Sequence, residues 1–140
     1  MDASDATELQ LRLFGDGASS DRRAPRVGLL NRESHRKWDE GNCFAAAVRA
    51  QGLASESRVF EGVAPRDQAA WVFAQDVIIS PHGAQLTNLI FARPCTVVVE
   101  LYPRHYFMPG FYLSLAAQVG ALPSAPARSK GGDAVESGTA

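Results

Sequence analysis

The β-branched run Val77-Ile78-Ile79 leads directly into Ser80-Pro81-His82-Gly83-Ala84. A histidine and a glycine therefore stand where an apolar strand gives way to an amphipathic stretch carrying Leu86, Leu89 and Ile90. Glycine lets backbone approach a ligand closely, and a helix starting there presents unpaired N–H groups and the positive end of its dipole. A diphosphate suits such a place. His82 can donate a hydrogen bond to a phosphate oxygen or, when charged, offset its charge. The plainer reading is a histidine that caps backbone groups in a tight turn. Thr87 and Asn88 fall one turn into the helix, where they can reach a ligand or tie down the neighbouring loop.

Two further segments hold groups of the same kind. Arg22, Arg23, Arg26, Arg32, His35, Arg36 and Lys37 crowd into residues 22–37, against Asp21 and Glu33. A solvated basic face is the usual meaning of such a run, and Arg22 and Arg23 are assigned to the surface. Arg32, however, directly follows the apolar Val27-Gly28-Leu29-Leu30, where its guanidinium can clamp a phosphate through two hydrogen bonds. Arg36 assists if the loop folds back. Glu100 ends the run Thr96-Val97-Val98-Val99, and a carboxylate there needs partners. Ribose hydroxyls or an arginine ion pair both fit. A hydrolase built on Ser80 and His82 is disfavoured, because residues two apart around a proline cannot easily form a nucleophile–base hydrogen bond.

The elements that must position these groups alternate along the chain. Val27–Leu30 is a short strand. Phe44, Val48 and the alanines between them make a helix face that Gly52 ends, and Arg58-Val59-Phe60-Glu61 is a second strand. Pro65 opens a helix with Ala69, Val72 and Phe73 along one side, and a last helix spans Phe111–Val119. Strands separated by helices predict an α/β fold, a Rossmann-like parallel sheet with helices on both faces. Ligands bind beyond the carboxyl ends of such strands. Asn31-Arg32, Ser80 to Ala84 and Glu100 to Pro103 are those ends.

The chain divides into a flexible leader at 1–24, a domain at 25–122 and a disordered tail at 123–140 rich in Pro, Ser, Ala and Gly. Within the leader, the alternating Leu9, Leu11 and Leu13 suggest a short edge strand, and Gly15 to Ser20 a loop. At 140 residues one domain is expected, and 46% hydrophobic content allows a modest core. A net charge of -1 gives no reason to expect nucleic acid or membrane, and the basic run lacks interleaved aromatics. No apolar run reaches the roughly 20 residues of a membrane helix. There is no signal pattern at the N-terminus, so the protein is soluble or is a partial chain without its targeting segment. Cys43 and Cys95 fit no metal-ligand spacing and are expected as buried thiols, with a disulfide left open.

Asp76 to Phe91, with Val97-Val98-Val99-Glu100-Leu101-Tyr102-Pro103 after it, resembles glycosyltransferase family 61. That family's signature is an apolar strand, then Gly-x-His-Gly-Ala-Gly-Leu-Thr-Asn, then a strand ending Glu-Leu. Val27 to Arg36 is similar to its strand followed by spaced arginines, and Asp67-Gln68 to its helix-opening acidic-Gln pair. The resemblance covers about residues 25 to 122, with Ser80 in place of the usual glycine and Gln85 in place of glycine or alanine.

The resemblance implies an inverting transferase that moves a sugar from a UDP-sugar donor to a glycan or glycoprotein acceptor, with no cofactor and no obligatory metal. The absence of any Asp-x-Asp agrees, since that pair commonly holds a nucleotide-bound cation. It further implies one half of a GT-B-like architecture, with the donor held by Arg32, Arg36, His82, Gly83, Ala84, Thr87, Asn88 and Glu100. The catalytic base is then expected on a second domain outside this chain. Location in the Golgi or endoplasmic reticulum lumen follows if the parent is a typical eukaryotic member. The competing reading is a non-catalytic nucleotide-binding module or a decayed fragment.

Overall fold

The computed structural model describes residues 3–15, 24–106, 108, 110–123 and 127–128. Its strands are β1 (Arg26–Asn31), β2 (Ala54–Val59), β3 (Val77–Pro81), β4 (Val97–Tyr102), β5 (Leu122–Pro123) and β6 (Ala127–Arg128). Its α-helices are α1 (Ala3–Phe14), α2 (Gly41–Ala50), α3 (Pro65–Phe73) and α4 (Phe111–Gln118), and a 3-10 helix spans Ala84–Phe91. Every strand pairing is parallel, in the order β2-β1-β3-β4-β5, with β6 also paired to β4. Leu29 aligns with Ser57 on one side and Ile79 on the other, and Ile79 aligns with Val99. The chain leaves β1 toward β2 and returns to β3 on the opposite side. The direction of winding thus reverses between β1 and β3, which opens a crevice at their carboxyl ends.

The expected Rossmann-like α/β sheet is what forms, and period-two alternation decides which side chains face which helices. Leu30, Ile78 and Val98 join Trp71, Val72, Leu86, Leu89 and Ala116 in the larger core, beneath α3, the 3-10 helix and α4. Val27, Leu29 and Ile79 pack with Ala45 of α2 on the other face. In β4 the alternation is strict: Val98, Glu100 and Tyr102 are buried, whereas Val97, Val99 and Leu101 are only half-buried.

Several expectations are corrected. Residues 9–13 are not an edge strand but part of α1, whose Asp5 and Arg12 suit the helix dipole and whose Glu8 and Arg12 pair one turn apart. Leu11 and Leu13 are exposed, while Gln10 is buried and donates to the carbonyls of Ala92 at 2.7 Å and Ile90 at 3.3 Å. The segment read as leader therefore contains a helix docked beside the 3-10 helix. The second strand runs 54–59 rather than 58–61, because it is a sheet edge and tolerates Ser55, Glu56 and Ser57. In α2 the buried positions are Gly41 and Ala45, while Phe44 lies at the exposed margin, 5.3 Å from the Trp38 ring. In α3 the buried set is Ala69, Trp71 and Val72.

Cys43 and Cys95 are exposed and unbridged rather than buried, Cys43 on the outer side of α2 and Cys95 in a left-handed turn before β4. Residues 16–23, which include Arg22, Arg23 and most of the anticipated loop, lie outside the described residues. So does most of the anticipated disordered tail, although Leu122–Pro123 and Ala127–Arg128 pair with β4. No helix among the described residues is long and apolar enough to cross a membrane.

Candidate functional site

β1 and β3 end side by side, and each hands over to a loop that turns across the crevice. After β1, Asn31 shapes the loop. Its Oδ1 accepts from the backbone N–H of Arg32 and of Trp38, each at 2.9 Å, and its Nδ2 donates to the Trp38 carbonyl at 2.8 Å. One side chain thus closes residues 32–37 back on the strand end. Arg36 adopts a left-handed φ of 64°, uncommon for a residue with a β-carbon, and the loop does fold back. The Arg36 guanidinium lies 4.6 Å from the centre of the Tyr106 ring and makes a long 3.5 Å contact with the His82 carbonyl.

After β3, the turn at 80–85 is held by the two residues in which the motif departs from its family form. The Gln85 Nε2 donates to Ser80 Oγ at 3.2 Å and to the Pro81 carbonyl at 2.9 Å, and Ser80 Oγ donates to the same carbonyl at 3.0 Å. Ser80 is completely buried, so Gln85 supplies the partner its hydroxyl needs. The segment beginning at Ala84 is a 3-10 helix rather than an α-helix, which explains its burial pattern: Leu86, Leu89 and Ala92 repeat every three residues and all face the core.

His82 lies at the centre. Its backbone N–H donates to the Leu101 carbonyl at 2.8 Å, tying the end of β3 to β4. Its Nδ1 is 2.5 Å from Glu100 Oε1, and Glu100 Oε2 accepts from the Tyr102 hydroxyl at 2.7 Å. The imidazole stacks on Tyr102, with ring centres 5.4 Å apart, and meets Tyr106 and Tyr112 at tilted angles, each 5.2 Å away. The Tyr102 phenol is held well above its ordinary pKa, first by burial and then by its hydrogen bond to Glu100 and the charge of that carboxylate. Tyr112 is also raised, chiefly by burial and by Glu100, against the opposing charges of Arg32 and Arg36.

These elements border a pocket of about 530 Å³ lined by Arg32, Arg36, His82 and Gly83 together with Tyr106, Tyr112 and Phe111. Its volume lies in the range typical of small-molecule sites. Of the residues expected from sequence, Arg32, Arg36, His82, Gly83 and Ala84 line it. Thr87 and Asn88 act as ties: Thr87 Oγ1 donates to the Ala84 carbonyl at 2.7 Å, and Asn88 Nδ2 donates to Gln68 Oε1 at 2.9 Å. Gln68 in turn donates to the Val63 carbonyl at 2.8 Å, so the motif's asparagine is anchored through α3 to the loop before it. Glu100 does not line the pocket, and its side chain is 0% exposed with both oxygens occupied.

Sequence reasoning missed His35, Tyr106, Met108, Phe111 and Tyr112 as lining residues. Tyr106 and Met108 stand in the loop after β4, where the Met108 carbonyl accepts from the Tyr102 hydroxyl at 3.2 Å, and Phe111 and Tyr112 open α4, which packs against the 3-10 helix. Their one legible cue was a cluster of aromatics directly after the Glu-Leu-Tyr-Pro strand end.

Fold and site together define a parallel α/β domain with a cationic, tyrosine-walled pocket at its topological switch point. Residues 3–99 match the family model for Glycosyltransferase 61, and the chain belongs to that glycosyltransferase family. The match takes in α1 and the first half of β4, ending just before Glu100. No curated protein matches the chain.

Proposed function

We propose that the pocket binds the diphosphate of a UDP-sugar and that this chain forms the donor-binding half of an inverting glycosyltransferase of GT-B-like architecture. The observation that carries the reading is the convergence of Arg32, Arg36 and His82 on one pocket at the β1/β3 switch point, beside the close backbone approach at Gly83. Transfer by direct displacement would free an acceptor hydroxyl of its proton, join its oxygen to the anomeric carbon and release UDP. Negative charge then gathers on the diphosphate, and guanidinium and imidazole groups fixed in advance would stabilise it. The acceptor is a glycan or protein hydroxyl, and the Golgi or endoplasmic reticulum lumen is the compartment we assign on the family's account.

Calorimetric titration of the 140-residue chain with UDP, UMP and uridine tests the reading. UDP should bind more tightly than UMP, and UMP more tightly than uridine. Arg32→Ala should weaken UDP by about 1.5–3 kcal/mol, the range of a charge-assisted hydrogen bond. Equal binding of UDP and uridine would remove the diphosphate from the pocket.

One observation favours a non-catalytic module as the second reading: among the described residues, no aspartate or glutamate lines the pocket to serve as an acceptor base. Transfer assays with a panel of sugar and protein acceptors separate the two. Binding without turnover by a protein that also carries an acceptor domain would favour the module.

A further inference from the structure

We infer that Glu100, backed by Tyr102, is a positioning residue that sets the tautomer and direction of the His82 ring, so that Nε2 is the atom offered to the ligand's phosphates. This rests on the diphosphate reading of the pocket. A histidine at a strand end is ordinarily free to turn about its χ2 bond and to exchange its proton between the two ring nitrogens. Here both freedoms are removed. Glu100 sits on β4 with its side chain 0% exposed and accepts from Nδ1 at 2.5 Å. The Leu101 carbonyl holds the His82 backbone at 2.8 Å, and Tyr102 stacks beneath the ring.

A carboxylate accepts but does not donate, so the paired nitrogen is the one that keeps its proton, which leaves Nε2 as the ring nitrogen His82 can offer to the pocket it lines. Nε2 makes no hydrogen bond to the described residues. When a diphosphate binds, Nε2 takes up a proton from solvent or from the phosphate itself and shares it with a phosphate oxygen, while Glu100 balances the resulting charge from behind. The second Glu100 oxygen is filled by the Tyr102 hydroxyl at 2.7 Å, which removes the penalty of a half-satisfied buried carboxylate. Carboxylates that orient a histidine in this manner recur in unrelated hydrolases and metal sites. The same device in this fold links the family's His-Gly-Ala turn to its Glu-Leu strand end. The two parts of the motif, far apart in sequence, work as one unit.

The test compares wild type, Glu100→Gln and Tyr102→Phe by long-range 15N–1H spectra of the His82 ring, with and without UDP, and by calorimetry. Wild-type His82 should carry its proton on Nδ1, and its Nε2 signal should move when UDP is added. Glu100→Gln should show mixed tautomers and bind UDP about tenfold more weakly or worse. Tyr102→Phe should lose about threefold, since the carboxylate keeps His82 but can turn. An Nδ1–H ring in Glu100→Gln with UDP affinity within about twofold of wild type would overturn the inference. If Glu100→Gln does not fold, unchanged spectra and affinity in Tyr102→Phe would do so. A wild type that binds no UDP refutes the diphosphate reading instead, and the ligand-free spectra still decide whether Glu100 sets the ring.

Discussion

The Arg32 Nη1 lies 2.6 Å from the point where a β-carbon on Gly83 would stand. The Gly83 backbone is extended, a conformation open to any residue, so the glycine is required for space and not for its dihedral angles. The second atom in the way, Gln85 Oε1 at 2.5 Å, is likewise the end of a flexible side chain. Gly83→Ala should therefore fold, with stability within about 1 kcal/mol of wild type in urea. It should displace the Arg32 guanidinium and weaken UDP by about tenfold. Unaltered UDP affinity would mean that Arg32 does not act from this position.

Gly28 is a different kind of glycine. A β-carbon there would meet Trp71 Cη2 and Gln75 Cγ, both at 2.7 Å, and these two side chains are buried. Neither can move without opening the larger core. Gly28→Ala should cost about 1–3 kcal/mol of stability, the usual penalty of overpacking. A urea midpoint equal to wild type would show that α3 shifts freely on the sheet.

Asn31→Ala removes all three hydrogen bonds that close residues 32–37. Amide exchange should quicken at Arg32 and Trp38, which lose their acceptor, and stay unchanged in β4. UDP affinity should fall with it, because Arg32, His35 and Arg36 all ride on this loop. Exchange at Trp38 as slow as in wild type would show that the loop holds itself closed.

Tyr102 gives a pH dependence whose sign is fixed by burial and by Glu100. Its phenol has a higher pKa folded than unfolded. Its contribution to stability is thus complete below the ordinary value of about 10 and is lost as pH rises toward the folded value. Denaturation of wild type and Tyr102→Phe at pH 8 and pH 11 should show wild type ahead at the lower pH and the gap narrowing at the higher. A constant gap would mean that the hydroxyl ionises as easily in the folded protein as in the unfolded chain.

Strand positions were legible wherever β-branched residues ran together. Val77-Ile78-Ile79 and Val97-Val98-Val99 need cover on both faces, which only a central parallel strand between helices provides. The carboxyl ends of those strands then named His82 and Glu100, and the end of the apolar Val27–Leu30 named Arg32, with no knowledge of their neighbours. Periodicity misled in α1, where Leu9, Leu11 and Leu13 alternate as a strand would, and over residues 84–92, where a three-residue repeat was read as an ordinary helix. Short apolar patterns fit more than one period, and the neighbour that accepts them decides between them.

By itself, then, the sequence determined the order of elements, the parallel sheet and the membership signalled by the His-Gly-Ala-Gln-Leu-Thr-Asn turn, because these depend on local pattern and chain order. Only the tertiary structure decided what Glu100 and the tyrosines do. The partner of Glu100 is 18 positions away across β3 and β4, and the pairing needs Ser80 to align with Glu100 so that His82 rises beside its carboxylate. Arg36 meets Tyr106 where the loop closed by Asn31 faces the loop that follows β4. Register and loop closure are collective properties of packed strands, and no single segment carries them.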